Sequence, residues 1–241
     1  PCVMGALRRP GGEMVSTSQE LSRRGVWKPQ KLTGSPFDPF VRAVFPALAA
    51  RIPRQITPNA ITLIGVAATI VAGCAVALAG RVPGLLFVAV GLVLVNWVAD
   101  TLDGVLARQR SQASRLGDFL DHAFDAVTVV ALTVGPAFSG LVHPELSLLQ
   151  GVLILLCFAI TYKGEQATGV YELLTLGPTE VRFTLCGILS AAYLLPGPLF
   201  TLWGHPLQVL DLSALAGIFW ASVYCAVLLT RYIRRLREID G

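Results

Sequence analysis

Long runs without a charged side chain alternate with short charged segments along this chain. Residues 55–80, 82–99, 126–144, 146–162, 183–210 and 212–230 contain no Asp, Glu, Lys or Arg. A helix needs about 20 apolar residues, with a range of about 17–25, to cross the hydrocarbon core of a bilayer. The pattern therefore predicts six transmembrane helices, the second extending past Asp100 and the third beginning before Asp125. Segments such as 60-AITLIGVAATIVAGCAVALA-79 are apolar all round, without the period-two alternation of a membrane barrel strand. Just before the first span, Phe37, Phe40, Val41, Val44, Phe45 and Leu48 recur at helical spacing within residues 37–50. That spacing predicts an amphipathic helix on the cytoplasmic leaflet, with a helix packed against the bundle as the alternative. The expected fold is an all-α integral membrane protein of six transmembrane helices preceded by a cytoplasmic amphipathic interfacial helix.

Composition supports this reading. Of 241 residues, 54% are hydrophobic and 14% charged, against roughly 25% charged in a soluble domain. Mean hydropathy is +0.65. A soluble domain could not keep such a surface wet, and a disordered chain needs low hydrophobicity with high net charge. Six spans put both termini on one side, with 80–84, 139–147 and 196–210 as opposite-side loops. Arg81 alone of the 19 Lys and Arg falls in those loops, which makes both termini cytoplasmic. The net charge of +4 and pI of about 9.0 then reflect orientation and anionic headgroups rather than nucleic acid. The five cysteines form no CxxC or Cys/His cluster, so they are expected to be buried free thiols. Residues 1–34 mix Gly, Pro, Ser and charge without an apolar period or a signal-peptide core, and read as a disordered cytoplasmic tail. The first residue is Pro, and Met4 or Met14 is a candidate start. The membrane domain spans 35–235, and 236–241 form a cytoplasmic C-terminal tail.

The chemistry concentrates between Asp100 and Asp125, which hold five of the 15 acidic residues. Acids at the edge of a transmembrane bundle are costly and normally face a site or a cavity. Asp100, Asp103, Gly104 and Ala107 share one face of the second span; Gly117, Asp121 and Asp125 repeat at i, i+4, i+8 on the third. The polar link 108-RQRSQASR-115 turns the chain between them. Four carboxylates meeting in low dielectric need compensation. An oxygen-only set favours Mg²⁺ or Mn²⁺, and two such ions would balance four carboxylates. The alternative is a structural network with Arg108, Arg110 and Arg115.

The segment 100-DTLDGVLARQRSQASRLGDFLDHAFD-125 fits D-x2-D-G-x2-A-R-x8-G-x3-D-x3-D without departure. A chance match to eight fixed positions is on the order of one in a billion per starting point. The segment resembles the CDP-alcohol phosphotransferases, also called CDP-alcohol phosphatidyltransferases. The resemblance extends over about residues 37–235, and 57-TPNAIT-62 looks like the family's opening of the first span. It implies a phospholipid-biosynthetic enzyme that cleaves the pyrophosphate of a CDP-linked donor, passes the substituted phosphate to an alcohol and releases CMP. Asp100, Asp103, Asp121 and Asp125 match the metal ligands. Asp100, Gly104, Ala107 and Arg108 match contacts to the CDP part, with Asn59 and Thr62 as further candidates. Arg108 can alternatively end the helix at the headgroups. Homodimers are common in the family.

By the same resemblance, 120-LDHAFD-125 looks like the choline- and ethanolaminephosphotransferase branch, in which the matching His122 is a proton acceptor from a lipid hydroxyl. Elsewhere in the family the matching Asp125 carries that role, so both are candidate catalytic bases. The stretch 163-KGEQATGVYELLTLGPTEVR-182 also resembles this branch, through Glu165, Thr168, Gly169 and 177-GPTE-180. The expected donor is therefore a CDP-amino alcohol and the acceptor a diacylglycerol-like lipid; the alternative is a CDP-diacylglycerol-dependent transfer to a small polar alcohol. A cation transporter is a further alternative, but its acids belong near the membrane midplane. A non-catalytic scaffold requires no fixed acid spacing. His143 and His205, each before a Pro in an outer loop, are expected to be bystanders to the chemistry.

Overall fold

The structure is a computed structural model that describes residues 7–8, 14–15, 36–112, 114–170 and 177–240. The expected disordered tail and Cys2 lie outside the described residues, apart from an antiparallel pairing of β1 (Leu7–Arg8) with β2 (Met14–Val15). Among the described residues, seven helices follow: α1 (Asp38–Arg51), α2 (Pro58–Ala79), α3 (Leu85–Gln109), α4 (Arg115–Ala137), α5 (Pro144–Thr168), α6 (Pro178–Leu194) and α7 (Val209–Asp240). A hairpin of β3 (Phe200–Leu202) and β4 (His205–Leu207) separates the last two helices.

Helix ends follow local chemistry. Thr57 caps α2 by accepting from the Ala60 N–H at 3.2 Å, and Ser114 caps α4 by accepting from the Gly117 N–H at 3.1 Å. α5 stops at Gly169, whose φ of 72° is the left-handed cap that glycine adopts without strain. α6 stops where 196-PGP-198 removes helical donors. The chain then enters the hairpin rather than continuing the uncharged run to residue 210 as helix.

This ending leaves the sixth predicted span shorter than its uncharged run. Among the described residues, five helices, α2, α3, α4, α5 and α7, are long and apolar enough on their own to cross a membrane. The 17 residues of α6 give a rise of roughly 25 Å at 1.5 Å per residue, against a core of about 30 Å. The predicted helix before the first span is present as α1. It is packed on the bundle, with Phe45 and Ala49 buried and the Phe45 ring edge-on to Trp97 of α3.

α2 lies between α3 and α4 and packs on both, while α5 packs on α7 and α6 on α3. Its buried positions are mostly small, among them Gly65, Ala68, Ala72, Gly73, Ala75 and Ala79. Lipid tails are as apolar as leucine, so helices in a bilayer associate by close backbone packing rather than by hydrophobic exclusion. α2 and α4 cross closely. A Cβ on Gly73 would stand 2.4 Å from the Ala131 carbonyl oxygen, and one on Gly135 would stand 2.2 Å from the Gly73 oxygen.

At the end of the bundle away from the acidic motif, Asp211 is 1% exposed and ties three segments together. It accepts from the His143 N–H at 2.7 Å, from His143 Nδ1 at 2.8 Å and from the Gln208 N–H at 2.8 Å. His143 thus has a structural partner. That hydrogen bond to Asp211 raises the His143 pKa above its ordinary value of 6.5. Among the described residues, Cys157, Cys186 and Cys225 are buried free thiols, as expected, whereas the free thiol Cys74 is exposed on the outer side of its helix.

Two outcomes follow. Gly135→Val forces α2 and α4 apart against backbone atoms, and is expected to cost about 3 kcal/mol, the upper end of overpacking penalties; thermal unfolding in detergent measures it. A folded-state pKa raised above the unfolded value contributes stability that is present below the unfolded value and lost as pH rises through the folded one. The melting-temperature advantage of wild type over His143→Asn is therefore expected to shrink as pH is raised from about 6 to 9.

Candidate active site

The two helices that carry the acidic motif, α3 and α4, meet α2 and α6 around a narrow cleft. It is lined by Thr62, Gly65 and Val66 of α2, Asn96 and Asp100 of α3, Asp121, Phe124, Asp125 and Thr128 of α4, and Arg182 of α6. Its free volume is about 10 Å³, roughly room for one water. Helical spacing explains the acids. Asp121, Asp125 and Thr128 fall on one stripe of α4, and Asn96 and Asp100 on one stripe of α3.

Asp103, one turn beyond Asp100, is 8% exposed and accepts a hydrogen bond from the Thr62 hydroxyl. Thr62 also donates to the Pro58 carbonyl at 3.2 Å. Its neighbour Asn59 is exposed at the start of α2. A Cβ on Gly117 would come within 3.8 Å of the Asn59 Oδ1, so the TPNAIT segment and the start of α4 face each other. Arg108 is exposed and lies over Gly104, where an added Cβ would stand 3.3 Å from its Nη1. Ala107 is half-buried on the same turn. The structure thus brings Thr62, Asp100, Asp121 and Asp125 to one cleft, with Asp103 tied to Thr62. Asn59, Gly104, Ala107 and Arg108 lie off that cleft.

His122 takes a different direction. Its ring lies against Tyr162 of α5, with centroids 4.5 Å apart, and it does not line the cleft. Glu180 stands in the first turn of α6, half-buried, with its carboxylate close to Gly177. Glu165 lies in the last turn of α5, where its carbonyl accepts from the cap at Gly169.

Three features were not in the sequence reading. Arg182 pairs with Asp100 at 2.7 Å and faces Asp125 at 3.7 Å; the arginines weighed as partners were those of the motif itself. Arg110 instead donates to the Ile52, Pro53 and Ile56 carbonyls at 2.7, 3.2 and 2.7 Å, pinning the link that delivers α2. Asn96, 5% exposed, donates to the Gly65 carbonyl at 3.1 Å and locks α3 to α2 beside the cleft. An Asn within an apolar span, four residues before Asp100, is the signal that points to it. Arg182 has a weaker signal, as the last charge before the uncharged run 183–210.

The sequence profile of the CDP-alcohol phosphatidyltransferases matches residues 55–232. The chain belongs to that family. It is 35% identical over 94 residues to an archaetidylinositol phosphate synthase of Pyrococcus horikoshii, covering 39% of this chain and 47% of that protein. The match thus spans about half the length of that relative. A mouse cholinephosphotransferase 1 is 25% identical over 211 residues, covering 84% of this chain and 52% of that one. The fold is shared with the Mycobacterium tuberculosis phosphatidylinositol phosphate synthase. Its structure with CDP-DAG bound superposes with a TM-score of 0.59 at 18% identity, covering 80% of this chain and 94% of that one. Its complex with manganese and citrate gives a TM-score of 0.55, also at 18% identity, covering 82% and 87%. Family membership and the several apolar helices make this a multi-pass membrane protein.

Proposed function

We propose that this protein transfers a substituted phosphate group from a CDP-linked donor to an alcohol hydroxyl, releasing CMP. The observation that carries the reading is the gathering of Asp100, Asp121 and Asp125, three of the four motif acids, in one cleft at the junction of α2, α3, α4 and α6. The reaction takes place on the cytoplasmic side, where both termini lie. α1 rests at that leaflet, and α6 with its hairpin makes a sixth crossing. The uncharged, lipid-compatible surface of Leu194, Leu195, Phe200 and Trp203 supports this.

The residues fit a hard divalent cation by donor chemistry. The cleft offers carboxylate and hydroxyl oxygens and no thiolate or imidazole. Among the described residues, no three acids are yet drawn close enough to hold an ion between them. Asp100, Asp103, Asp121 and Asp125 are proposed to hold two such ions, Mg²⁺ or Mn²⁺. When bound, these ions supply charge neutralisation at the donor's diphosphate and at the departing CMP. Thr62, which donates to one Asp103 oxygen, would hold that carboxylate in place for an ion. Gly104 and Ala107 present a low surface against which the nucleotide packs, with Arg108, Asn59 and Thr62 at its edges. Positioning and screening of this kind account for most catalysis of phosphoryl transfer.

His122 is proposed to accept the proton of the acceptor hydroxyl, and the donor is a CDP-amino alcohol with a diacylglycerol-like acceptor. Support comes from 120-LDHAFD-125 and from the extent of the mouse relative's match. A CDP-diacylglycerol donor is the second reading, favoured by the CDP-DAG found in the mycobacterial neighbour. In that reading Asp125, which lines the cleft, is the base.

With purified protein, a panel of CDP-alcohols and CDP-diacylglycerol, and detection of CMP, activity is expected to vanish in chelator and return with Mg²⁺ or Mn²⁺. Asp100→Asn, Asp103→Asn and Asp121→Asn should each lose most turnover while still inserting. Full activity in chelator would sink the metal reading. His122→Ala is expected to lower turnover by about 10²- to 10⁴-fold, the size of a general-base contribution, with donor affinity nearly intact. Near-normal turnover in that variant assigns the base to Asp125 and the donor to CDP-diacylglycerol.

A further inference from the structure

A short ion pair in the cleft involves a residue outside the acidic motif. Arg182 Nη1 donates to Asp100 Oδ2 at 2.7 Å, and its Nη2 stands 3.7 Å from Asp125 Oδ1. The arginine is 7% exposed and lies between acids of two different helices. Its place is held from the same turn of α6, where Thr179 accepts from Trp97 Nε1 at 3.3 Å. Trp97 and Asp100 lie one turn apart on α3, as Thr179 and Arg182 do on α6. Two bonds between the same two turns therefore fix the register. Trp97 is itself wedged between Phe45 of α1 and Phe183 of α6. The guanidinium is aimed at the carboxylates by packing, rather than by its own flexibility.

Asp100 and Asp125 belong to the set proposed to bind divalent ions, and this inference rests on that reading. A guanidinium is always charged and presents a rigid fork of donors to carboxylates. With about 10 Å³ free in the cleft, an ion reaching the bonded oxygen of Asp100 would meet both a filled site and a like charge. We infer that Arg182 is a displaceable counter-ion of the metal site. It is a positioning residue that neutralises Asp100 and Asp125 while no divalent ion is bound and gives up Asp100 when one enters. The cation count of the cleft is then kept up in both states. This explains how the acids stay assembled in low dielectric before metal arrives. It also explains why no three of the described acids are gathered tightly here.

The test compares wild type, Arg182→Met and Arg182→Lys in detergent. Mn²⁺ binding is followed by electron paramagnetic resonance, and thermal unfolding is measured in chelator and in saturating Mn²⁺. Arg182→Met is expected to melt lower than wild type in chelator and to gain more from Mn²⁺. Removing a like charge at this range should also tighten its Mn²⁺ binding by about tenfold or more. Arg182→Lys, which keeps the charge but loses the fork, should bind Mn²⁺ with an affinity between the two. A purely structural arginine would change the melting temperature and leave Mn²⁺ affinity alone. Equal or weaker Mn²⁺ binding by Arg182→Met overturns the inference. If that variant cannot be purified, Arg182→Lys binding equal to wild type does so instead. A wild type that binds no Mn²⁺ overturns the metal reading itself.

Discussion

Negative charge held at the edge of a low-dielectric bundle must be answered locally, and the helices around the cleft are arranged by that demand. Asp103 is answered by the Thr62 hydroxyl, and Asp100 and Asp125 by Arg182. Each answer comes from a different helix, so neutralising the motif requires α2, α3, α4 and α6 to converge. Arg182 is buried while its two carboxylates are partly exposed, so removing one partner leaves a charge that only part of its surroundings can screen. The acids therefore act as an assembly constraint as well as a chemical resource.

Convergence in turn depends on how closely the helices approach. The small residues of α2 let α3 and α4 approach its backbone, and the Gly73–Gly135 crossing leaves no room for a side chain. Arg110 fixes the link into α2, so that Thr57 starts the helix where Thr62 reaches Asp103. At the other end, buried Asp211 gathers the start of α5, the start of α7 and the end of the hairpin. A polar clamp at each end thus brackets an apolar middle packed through small residues.

Much of the site was legible in the chain because a helix converts spacing into direction. Asp121 and Asp125, four apart, had to share a face, as did Asp100 and Asp103 at three. The structure puts Asp100, Asp121 and Asp125 in one cleft. Family membership was legible from the same eight positions. Arg182 was not, since it lies 57 residues beyond Asp125 and no period connects them. His122 adjoins the acidic face in sequence, yet its ring packs on Tyr162, a residue no local pattern could nominate. Six uncharged runs implied six spans; 196-PGP-198 ends α6 at Leu194, so run length without turn chemistry overstates the length of that helix.

The sequence by itself determined that this chain is a helical membrane protein, which helix faces carry the acids, and which family's motif they form. These properties depend on charge scarcity and on periods of three and four residues, both local. Tertiary structure alone decided what neutralises those acids, which helices enclose them and where the histidines turn. Such pairings join residues far apart in sequence through backbone distances of a few ångströms. Distances of that kind are set by the packing of whole helices, and no stretch of the chain encodes them alone.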